Sequence, residues 1–268
     1  MTTNGLVAVV TGAGRGIGAA TVLALAATGW SVLAVDSAAD DPALPYPMAT
    51  PAELSGVVRR ASESAGAGQV RSFVADVRDP AAVTAAVAEA EQRWGGLDAA
   101  VAAAGVIAGG VPLWEVPPAQ EQAVLDIDLG GVLSLARAAV PALLRRPVPR
   151  AGRFLAVASA AATRGLPMLA AYCAAKAGVA GLIRALAAEL ADSGVTANAV
   201  SPGSTATPIL DQSARLYGLA GAGAFAGQQP AGRLLEPAEV AAVLAFLASP
   251  ASSGMTGAVV PVDGGLAL

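Results

Sequence analysis

Short apolar runs alternate with alanine-rich amphipathic stretches along the whole chain of 268 residues. The runs typical of strands cover residues 6–10, 31–35, 70–75, 97–102, 153–158, 195–200 and 258–262, and the stretches typical of helices cover about 16–28, 51–65, 80–94, 119–145, 168–192 and 237–248. Strands that alternate with helices form βαβ units, which require a parallel sheet with helices on both faces. Because the strand runs are almost continuously apolar, we expect a sheet buried on both faces. No linker divides the pattern, so the sequence predicts one α/β domain over residues 1–268.

Histidine is absent from the sequence, and cysteine and lysine occur once each, as Cys173 and Lys176. Without histidine the chain has no Ser-His-Asp triad, no Cys-His nucleophile and no imidazole zinc site, and one thiol cannot form an intramolecular disulfide or a four-thiolate metal cage. We therefore expect no metal site, and acid–base chemistry falls to Asp, Glu, Tyr or Lys176. The formal net charge of −4 disfavours nucleic acid and polybasic contact with a membrane.

Two uncharged stretches, residues 16–35 and 240–262, are long enough to span a membrane, but Thr, Ser, Gly or Pro residues interrupt both. Each divides into a predicted helix followed by a predicted strand. The first five residues carry no basic side chain, which argues against a signal peptide. We therefore expect a cytoplasmic protein without a membrane segment.

A glycine-rich turn follows the first predicted strand and opens the first predicted helix, with the sequence Thr-Gly-Ala-Gly-Arg-Gly-Ile-Gly at residues 11–18. Glycines permit a tight turn, and free N–H groups at a helix start face a pyrophosphate. Asp36 ends the second strand, where its carboxylate can accept both ribose hydroxyls of an adenosine and would repel a 2′-phosphate, which favours NAD over NADP. Arg15 is the one nearby cation. Asp76 follows the third strand and either binds the adenine ring or caps the next helix.

Tyr172 and Lys176 are four positions apart in a predicted helix and therefore share one face. An ammonium beside a phenol stabilises the phenolate and lowers the pKa of the phenol, so that a tyrosine can act as a base. Tyr172 can then accept the hydroxyl proton of an alcohol as its hydride leaves for NAD. Ser159, at the end of the fifth strand, can hydrogen-bond the same oxygen. Without this chemistry, Ser159 would be a strand-end cap and Tyr172 a core residue.

These motifs resemble those of the short-chain dehydrogenase/reductase family, as do residues 198–203 and 262–265. The resemblance covers essentially the whole chain. It implies a Rossmann-type doubly wound domain with a mostly parallel seven-stranded sheet, a nicotinamide cofactor, and a homotetramer or dimer in which the segments 119–145 and 168–192 contact a neighbouring subunit. It also implies a substrate lid over about residues 203–232. The implied cofactor-binding residues are Gly12, Arg15, Gly16, Ile17, Gly18, Asp36, Asp76, Val77, Ala102, Gly105, Tyr172, Lys176, Pro202, Gly203, Thr205 and Thr207, and the catalytic ones are Ser159, Tyr172, Lys176 and Asp128.

The chain departs from the family pattern at two places. Residues 102–105 read Ala-Ala-Ala-Gly where the family has Asn-Asn-Ala-Gly, so we expect weaker anchoring of the fourth strand, with cofactor binding retained. Asp128 stands where the family has an asparagine that helps to hold a water linking the lysine to solvent. An ionised Asp128 near Lys176 would stabilise the ammonium but oppose a phenolate on Tyr172, so we expect a working proton relay with a more alkaline optimum.

A proline-containing insertion over about residues 37–50, which we call the flap, lengthens the connection after Asp36. It resembles the corresponding segment of a subgroup of the family that is associated with mycofactocin, a peptide-derived redox cofactor, and that includes carveol dehydrogenase. This resemblance implies a tightly bound NAD that does not exchange, with mycofactocin as a candidate electron acceptor. A plain surface loop is the alternative.

The residues expected to border the substrate are small or apolar, namely Ala160, Ala161, Leu166, Met168 and much of the segment 203–232. They favour a small hydrophobic secondary alcohol and its ketone over a sugar or an acid. One alternative is a 3-ketoacyl reductase for carrier-bound acyl chains, against which Asp36 and the acidic charge balance argue. The other is a non-catalytic NAD-binding sensor or scaffold, suggested by the departures at Ala103 and Asp128 but opposed by the intact Ser, Tyr and Lys.

Overall fold

A parallel sheet of seven strands runs through the centre of the computed structural model, which describes residues 5–63, 66 and 68–268. The strand order is β3-β2-β1-β4-β5-β6-β7, and every pair of neighbours is parallel. The strands are β1 (Val7–Thr11), β2 (Ser31–Asp36), β3 (Val70–Val74), β4 (Ala99–Ala102), β5 (Arg153–Val157), β6 (Thr196–Pro202) and β7 (Val259–Val262). The order reverses between β1 and β4, and such a reversal leaves a crevice at the carboxyl edge of the sheet. The predicted fold class is confirmed.

Helices cover both faces of the sheet. They are α1 (Gly16–Ala27), α2 (Pro51–Ser62), α3 (Pro80–Trp94), α4 (Pro118–Leu125), α5 (Gly131–Arg145), α6 (Ala170–Glu189), α7 (Pro208–Leu216) and α8 (Pro237–Ala248). Helices α3, α5 and α6 pack on one face, and α1, α2 and α8 pack on the other.

The strands are apolar throughout because successive side chains enter two different cores. In β1, Val7 and Val9 pack against α3, α5 and α6, whereas Ala8 and Val10 pack against α1, α2 and α8. All four side chains are at most 1% exposed. Alternation between two buried faces removes the polar positions that a half-exposed strand would show.

Several helices begin at a proline that follows a capping side chain. Asp79 caps α3 through the N–H groups of Ala81 and Ala82, and Thr207 caps α7 through the N–H group of Leu210. Thr50 and Glu53 form a reciprocal capping box at the start of α2. Proline suits the first turn because its missing N–H has no partner there.

The structure differs from the sequence prediction in two segments. The predicted helix 119–145 is interrupted by a π-helical turn at Asp126–Gly130, which separates α4 from α5. The segment 203–232, for which the sequence predicted a substrate lid and no helix, contains α7. The capping pair Thr207-Pro208 is the sequence signal that could have revealed this short helix.

Two helical segments, Pro118–Arg145 and Ala170–Glu189, are long and apolar enough to cross a membrane by length and composition alone. Their buried side chains divide between the layer on the sheet and a third apolar cluster, and core helices commonly pass this test. The two stretches examined in the sequence, residues 16–35 and 240–262, each contain a helix followed by a strand, as predicted.

Leu155, in the middle of the sheet on β5, is 0% exposed, so its substitution tests the sheet core. We expect Leu155→Ala to lower the free energy of unfolding by about 2–5 kcal/mol, because it removes buried methyl groups and leaves a cavity. The measurement is urea denaturation followed by circular dichroism. Val74→Ala on β3 is the control, since Val74 is 64% exposed and its loss should change the value by only about 0.5 kcal/mol. Equal effects of the two variants would contradict this assignment of the core.

Candidate active site

One large cavity of about 680 Å³ opens at the carboxyl edge of the sheet. Loops that follow β1 to β6 line it, and helix α7 closes one side. All the site residues predicted from the sequence line this cavity except Ala102 and Asp128. Ala102 is buried at the end of β4, and Asp128 lies behind the cavity wall with 0% exposure. Cavities of this size in proteins commonly hold small molecules.

The glycine turn is a close-packed backbone cradle. At Gly12, where φ is +65°, an added Cβ would lie 2.6 Å from the carbonyl oxygen of Ala103. At Gly18 an added Cβ would collide with the carbonyl of Gly12. Larger side chains therefore do not fit at these two positions, which bring the start of α1 against the end of β4.

Asp36 ends β2 at the rim of the cradle. One carboxylate oxygen accepts the N–H of Gly14 at 2.9 Å, and the other accepts the N–H of Ala38 at 3.0 Å. These bonds fix the carboxylate against the glycine turn, where its negative charge faces the cavity. Arg15, the nearby cation, donates from Nη1 to the carbonyl oxygen of Pro47 at 2.9 Å. Its guanidinium is therefore tied to the flap.

Asp76 is held by Arg78, whose guanidinium donates to both oxygens of the carboxylate at 2.6–3.1 Å. Burial raises the pKa of Asp76, but the hydrogen bonds from Arg78 outweigh it and hold that pKa below its ordinary value. The helix-cap interpretation of Asp76 is wrong, because Asp79 caps α3. Arg78 also pairs with Asp41 of the flap, with Nη1 2.7 Å from Oδ2.

Ser159, Tyr172 and Lys176 meet on the other side of the cavity. Ser159 follows β5, and its hydroxyl accepts the N–H of Ala161 at 3.1 Å. Tyr172 and Lys176 lie one turn apart near the start of α6, with Nζ 5.6 Å from the centre of the tyrosine ring. Ser159 lies on the same side of the cavity as the phenol of Tyr172 and favours its ionised form. The structure thus brings together the three residues that the sequence predicted to act together.

Lys176 and Asp128 form a buried ion pair, with Nζ 3.1 Å from Oδ2. The ammonium also donates to the carbonyl oxygen of Val157 at 3.2 Å, and the second carboxylate oxygen accepts the N–H of Val106 at 2.8 Å. Both side chains are almost fully buried, at 4% and 0% exposure. The π-helical turn at Asp126–Gly130 carries the aspartate into this position, and π turns often occur at functional sites.

Burial and charge act in opposite directions on these groups. Burial and the charge of Asp128 raise the pKa of Tyr172, whereas the Lys176 ammonium and Ser159 lower it. The first two effects outweigh the others, so the pKa of Tyr172 lies above its ordinary value. Burial lowers the pKa of Lys176, but the carboxylate of Asp128 outweighs burial and raises it. Burial raises the pKa of Asp128 against the opposing effect of Lys176. Lys176 therefore stays charged, and Asp128 works against ionisation of the phenol.

The start of the predicted lid approaches the glycine turn. Pro202, Gly203, Thr205 and Thr207 line the cavity, and an added Cβ at Gly16 would lie 3.4 Å from Cγ2 of Thr207. The hydroxyl of Thr205 donates to the carbonyl of Gly203 at 3.1 Å, and that of Thr207 donates to the carbonyl of Thr205 at 3.2 Å.

The half of the cavity beside Ser159 and Tyr172, which we call the substrate half, is largely apolar. Its lining includes Ala160, Ala161 and Leu166, as expected, together with Ile107, Leu169, Ile209 and Phe225. Met168, which was expected there, does not line the cavity; its φ is +62° and its carbonyl accepts the N–H of Gly110.

The sequence did not reveal how closely the flap packs against the cavity. Five of its side chains are buried, namely Ala38, Asp41, Leu44, Tyr46 and Ala49. Asp41 reaches Arg78, Pro47 reaches Arg15, and the hydroxyl of Tyr46 accepts the N–H of Ile107 at 2.8 Å. The aromatic and acidic residues of the flap could have indicated that it packs against the domain. Their partners could not be identified, because they lie far away in the sequence.

The chain is similar to proteins whose names describe dehydrogenases and reductases. A family model described as enoyl-(acyl carrier protein) reductase matches residues 12–267. The short-chain reductase protein NovJ of Streptomyces niveus is 38% identical over 262 residues, covering 97% of this chain and 93% of that protein. The cis-4-hydroxycyclohexanecarboxylate dehydrogenase of Sinomonas cyclohexanicum is 40% identical over 265 residues, covering 97% and 95%. The crystal structure of carveol dehydrogenase from Mycobacterium avium in complex with NAD superimposes with a TM-score of 0.92 at 32% identity, covering 99% and 98%.

Asp128→Asn tests the electrostatic effect of the buried carboxylate on Tyr172. Asparagine keeps an acceptor for the N–H of Val106 but removes the negative charge, so we expect the pKa of Tyr172 to fall. The measurement is the ultraviolet absorbance of tyrosinate as a function of pH, with Tyr172→Phe subtracted in each background. A pKa of Tyr172 that stays the same or rises in Asp128→Asn would contradict the effect.

Proposed function

Because the chain belongs to the short-chain dehydrogenase/reductase family, we propose that it is an NAD-dependent enzyme that interconverts a hydrophobic secondary alcohol and its ketone. The observation that carries the proposal is the meeting of Ser159, Tyr172 and Lys176 in the same cavity as the glycine cradle and Asp36. The apolar lining of the substrate half supports a hydrophobic alcohol. We treat residues 1–268 as a single domain and expect a cytoplasmic homotetramer or dimer, with the segments 119–145 and 168–192 at the subunit contacts.

The donor set of this chain fits NAD. The cradle at Gly12 and Gly18 excludes a Cβ and leaves room for a pyrophosphate at the start of α1. Asp36 places a carboxylate at the end of β2, where it suits ribose hydroxyls and repels a 2′-phosphate. The carveol dehydrogenase of Mycobacterium avium was crystallised with NAD, which supports the same cofactor here. We propose that Thr205 or Thr207 bonds the carboxamide and that Asp76 and Val77 border the adenine.

When bound, NAD supplies the hydride acceptor for oxidation of the alcohol. In the mechanism we propose, the phenol oxygen of Tyr172, as phenolate, takes the hydroxyl proton of the alcohol and returns it in the reverse direction. Ser159 donates a hydrogen bond to the substrate oxygen. Lys176 stabilises the phenolate through its positive charge, and Asp128 holds the ammonium in place. Because the charge of Asp128 also raises the pKa of Tyr172, we propose a more alkaline optimum than an asparagine would give.

Tyr172→Phe tests the role of the phenol as the acid and base. Phenylalanine keeps the ring but cannot exchange a proton, so we expect the rate at which cyclohexanol reduces the bound NAD in a single turnover to fall by a factor of at least about 100. NADH binding, followed by fluorescence, should change by less than about threefold, because the adenosine and pyrophosphate contacts remain. Substantial turnover in the variant would contradict the mechanism and favour the sensor or scaffold interpretation.

The description of the matching family model, which names acyl carrier protein, favours a second candidate function. This candidate is a reductase of carrier-bound 3-ketoacyl chains. The carboxylate of Asp36 opposes the NADPH that such an activity would favour. A comparison of acetoacetyl-CoA reduction with NADPH against cyclohexanol oxidation with NAD separates the two, and dominance of the first would favour the reductase.

We further propose that the flap retains NAD, as in the mycofactocin-associated subgroup that it resembles, so that an acceptor of the mycofactocin type reoxidises the cofactor in place. Three contacts support this. The flap leaves the end of β2 and is bonded to the loop after β3 through Asp41, to the loop after β1 through Pro47, and to the loop after β4 through Tyr46. We call the half of the cavity beside Asp36 and Asp76 the adenosine half. Because the flap is bonded on both sides of this half, it slows the opening of the cavity that release of NAD requires.

Asp41→Asn weakens the flap at its attachment to Arg78 without changing the size of the side chain. We expect wild-type protein to copurify with NAD that resists dialysis, and we expect NADH release from the variant to be about tenfold faster, because a partly buried ion pair is lost. NADH release is measured by fluorescence after a chase with excess NAD. Glu63→Gln is the control, since its ion pair with Arg59 is exposed on α2. Release within minutes from the wild type would contradict retention by the flap.

A further inference from the structure

Two successive backbone N–H groups in the cavity wall are held from behind by side chains from distant parts of the chain. The N–H of Val106 donates to Asp128 at 2.8 Å, and the N–H of Ile107 donates to the hydroxyl of Tyr46 at 2.8 Å. Val106 and Ile107 line the cavity, whereas Asp128 and Tyr46 do not. The position of the wall therefore depends on the flap as well as on the ion pair at Lys176.

Tyr46 is buried in the apolar cluster beneath the substrate half of the cavity. It is 7% exposed and packs in one cluster with Val77, Ile127 and Leu169. Burial raises the pKa of its phenol, the N–H of Ile107 lowers it, and the charge of Asp128 raises it. The hydroxyl therefore stays protonated. A neutral hydroxyl can accept the N–H of Ile107 throughout the range in which the enzyme works.

Tyr46 is also joined to the cofactor side of the cavity through its own neighbour. The carbonyl oxygen of Pro47 accepts Nη1 of Arg15 in the glycine turn at 2.9 Å. Two adjacent flap residues thus contact the loop after β1 and the loop after β4. A movement of the flap that opens the adenosine half has to withdraw Tyr46 from Ile107, which leaves a buried N–H group without its acceptor.

We propose that Tyr46 is a positioning residue that couples retention of the cofactor to the affinity for the alcohol. The inference rests on the proposed function and deepens it. When the flap is closed, Tyr46 fixes Ile107 in the wall that the alcohol contacts. Because such coupling is reciprocal, an alcohol bound against the fixed wall holds the flap closed and slows release of the cofactor.

The first test compares Tyr46→Phe with Tyr217→Phe. Both variants remove one phenol hydroxyl at or near the cavity, but the hydroxyl of Tyr217 donates to the carbonyl of Pro167, which lies outside the flap. For Tyr46→Phe we expect the KM for cyclohexanol and the rate of NADH release each to rise about tenfold, because the N–H of Ile107 loses its acceptor. We expect kcat, measured with an artificial acceptor that reoxidises the bound cofactor in place, to stay within about twofold, since the reacting groups are untouched and release of NADH is not a step of that cycle. Tyr217→Phe should leave NADH release at the wild-type rate.

The second test changes a different residue of the flap, Asp41, so that the inference can still be tested if Tyr46→Phe does not fold. Asp41 contacts Arg78 on the adenosine side, yet the coupling predicts that Asp41→Asn also raises the KM for cyclohexanol at saturating NAD. Faster NADH release with an unchanged KM, in either flap variant, would overturn the coupling. If wild-type protein neither binds NADH nor oxidises cyclohexanol, the proposed function itself fails, and the wild-type control shows that separately.

Discussion

The buried ion pair between Lys176 and Asp128 is the interaction on which the arrangement of the site depends. Removing two charges from water is costly unless each gains good partners, and an unpaired buried charge destabilises a protein strongly. Here the ammonium has the carbonyl of Val157 as a second partner, and the carboxylate has the N–H of Val106. The pair therefore joins α6, the π-helical turn, the end of β5 and the loop after β4. These are the elements that hold Tyr172 and the wall of the cavity.

The same pair sets the chemistry of the phenol through two opposing charges. Lys176 favours the phenolate and Asp128 opposes it. An asparagine could accept the N–H of Val106 without the charge, so the carboxylate adds to the fixation of the lysine at the expense of the base strength of Tyr172. Ser159 compensates in part, because it also lowers the pKa of Tyr172. In the mechanism we propose, firm placement of Lys176 and ionisation of Tyr172 are therefore opposed: Asp128 favours the first, whereas Lys176 and Ser159 favour the second.

The sequence predicted most of the fold because the governing signals are local. Periodicity locates the strands within two residues at each end and the helices α1, α3 and α8 within one residue. A parallel sheet brings the carboxyl ends of its strands to one edge, so that Asp36, Ser159 and the glycine turn had to lie along the same edge. The pair Tyr172 and Lys176 follows from helix spacing. What escaped prediction depends on contacts between distant segments, such as Tyr46 with Ile107 and Asp41 with Arg78. Asp76 was ambiguous for a different reason, since two aspartates lie near the start of α3. Asp79 forms the cap and directly precedes Pro80, the same pattern as Thr207 and Pro208 at the start of α7.

The strand order explains why an insertion after β2 can influence both halves of the cavity. β2 lies between β3 and β1, and β4 is the next strand beyond β1. A segment that leaves the end of β2 and runs along the carboxyl edge therefore meets the loop after β3 on one side and the loops after β1 and β4 on the other. The strands β5 and β6 lie beyond the point between β1 and β4 where the strand order reverses. A segment of similar length after either of them would therefore start beside the substrate and would have to pass over that point to reach the adenosine. One short segment thus contacts both halves of the cavity because it follows β2 and because Asp41 and Tyr46 extend from it in opposite directions.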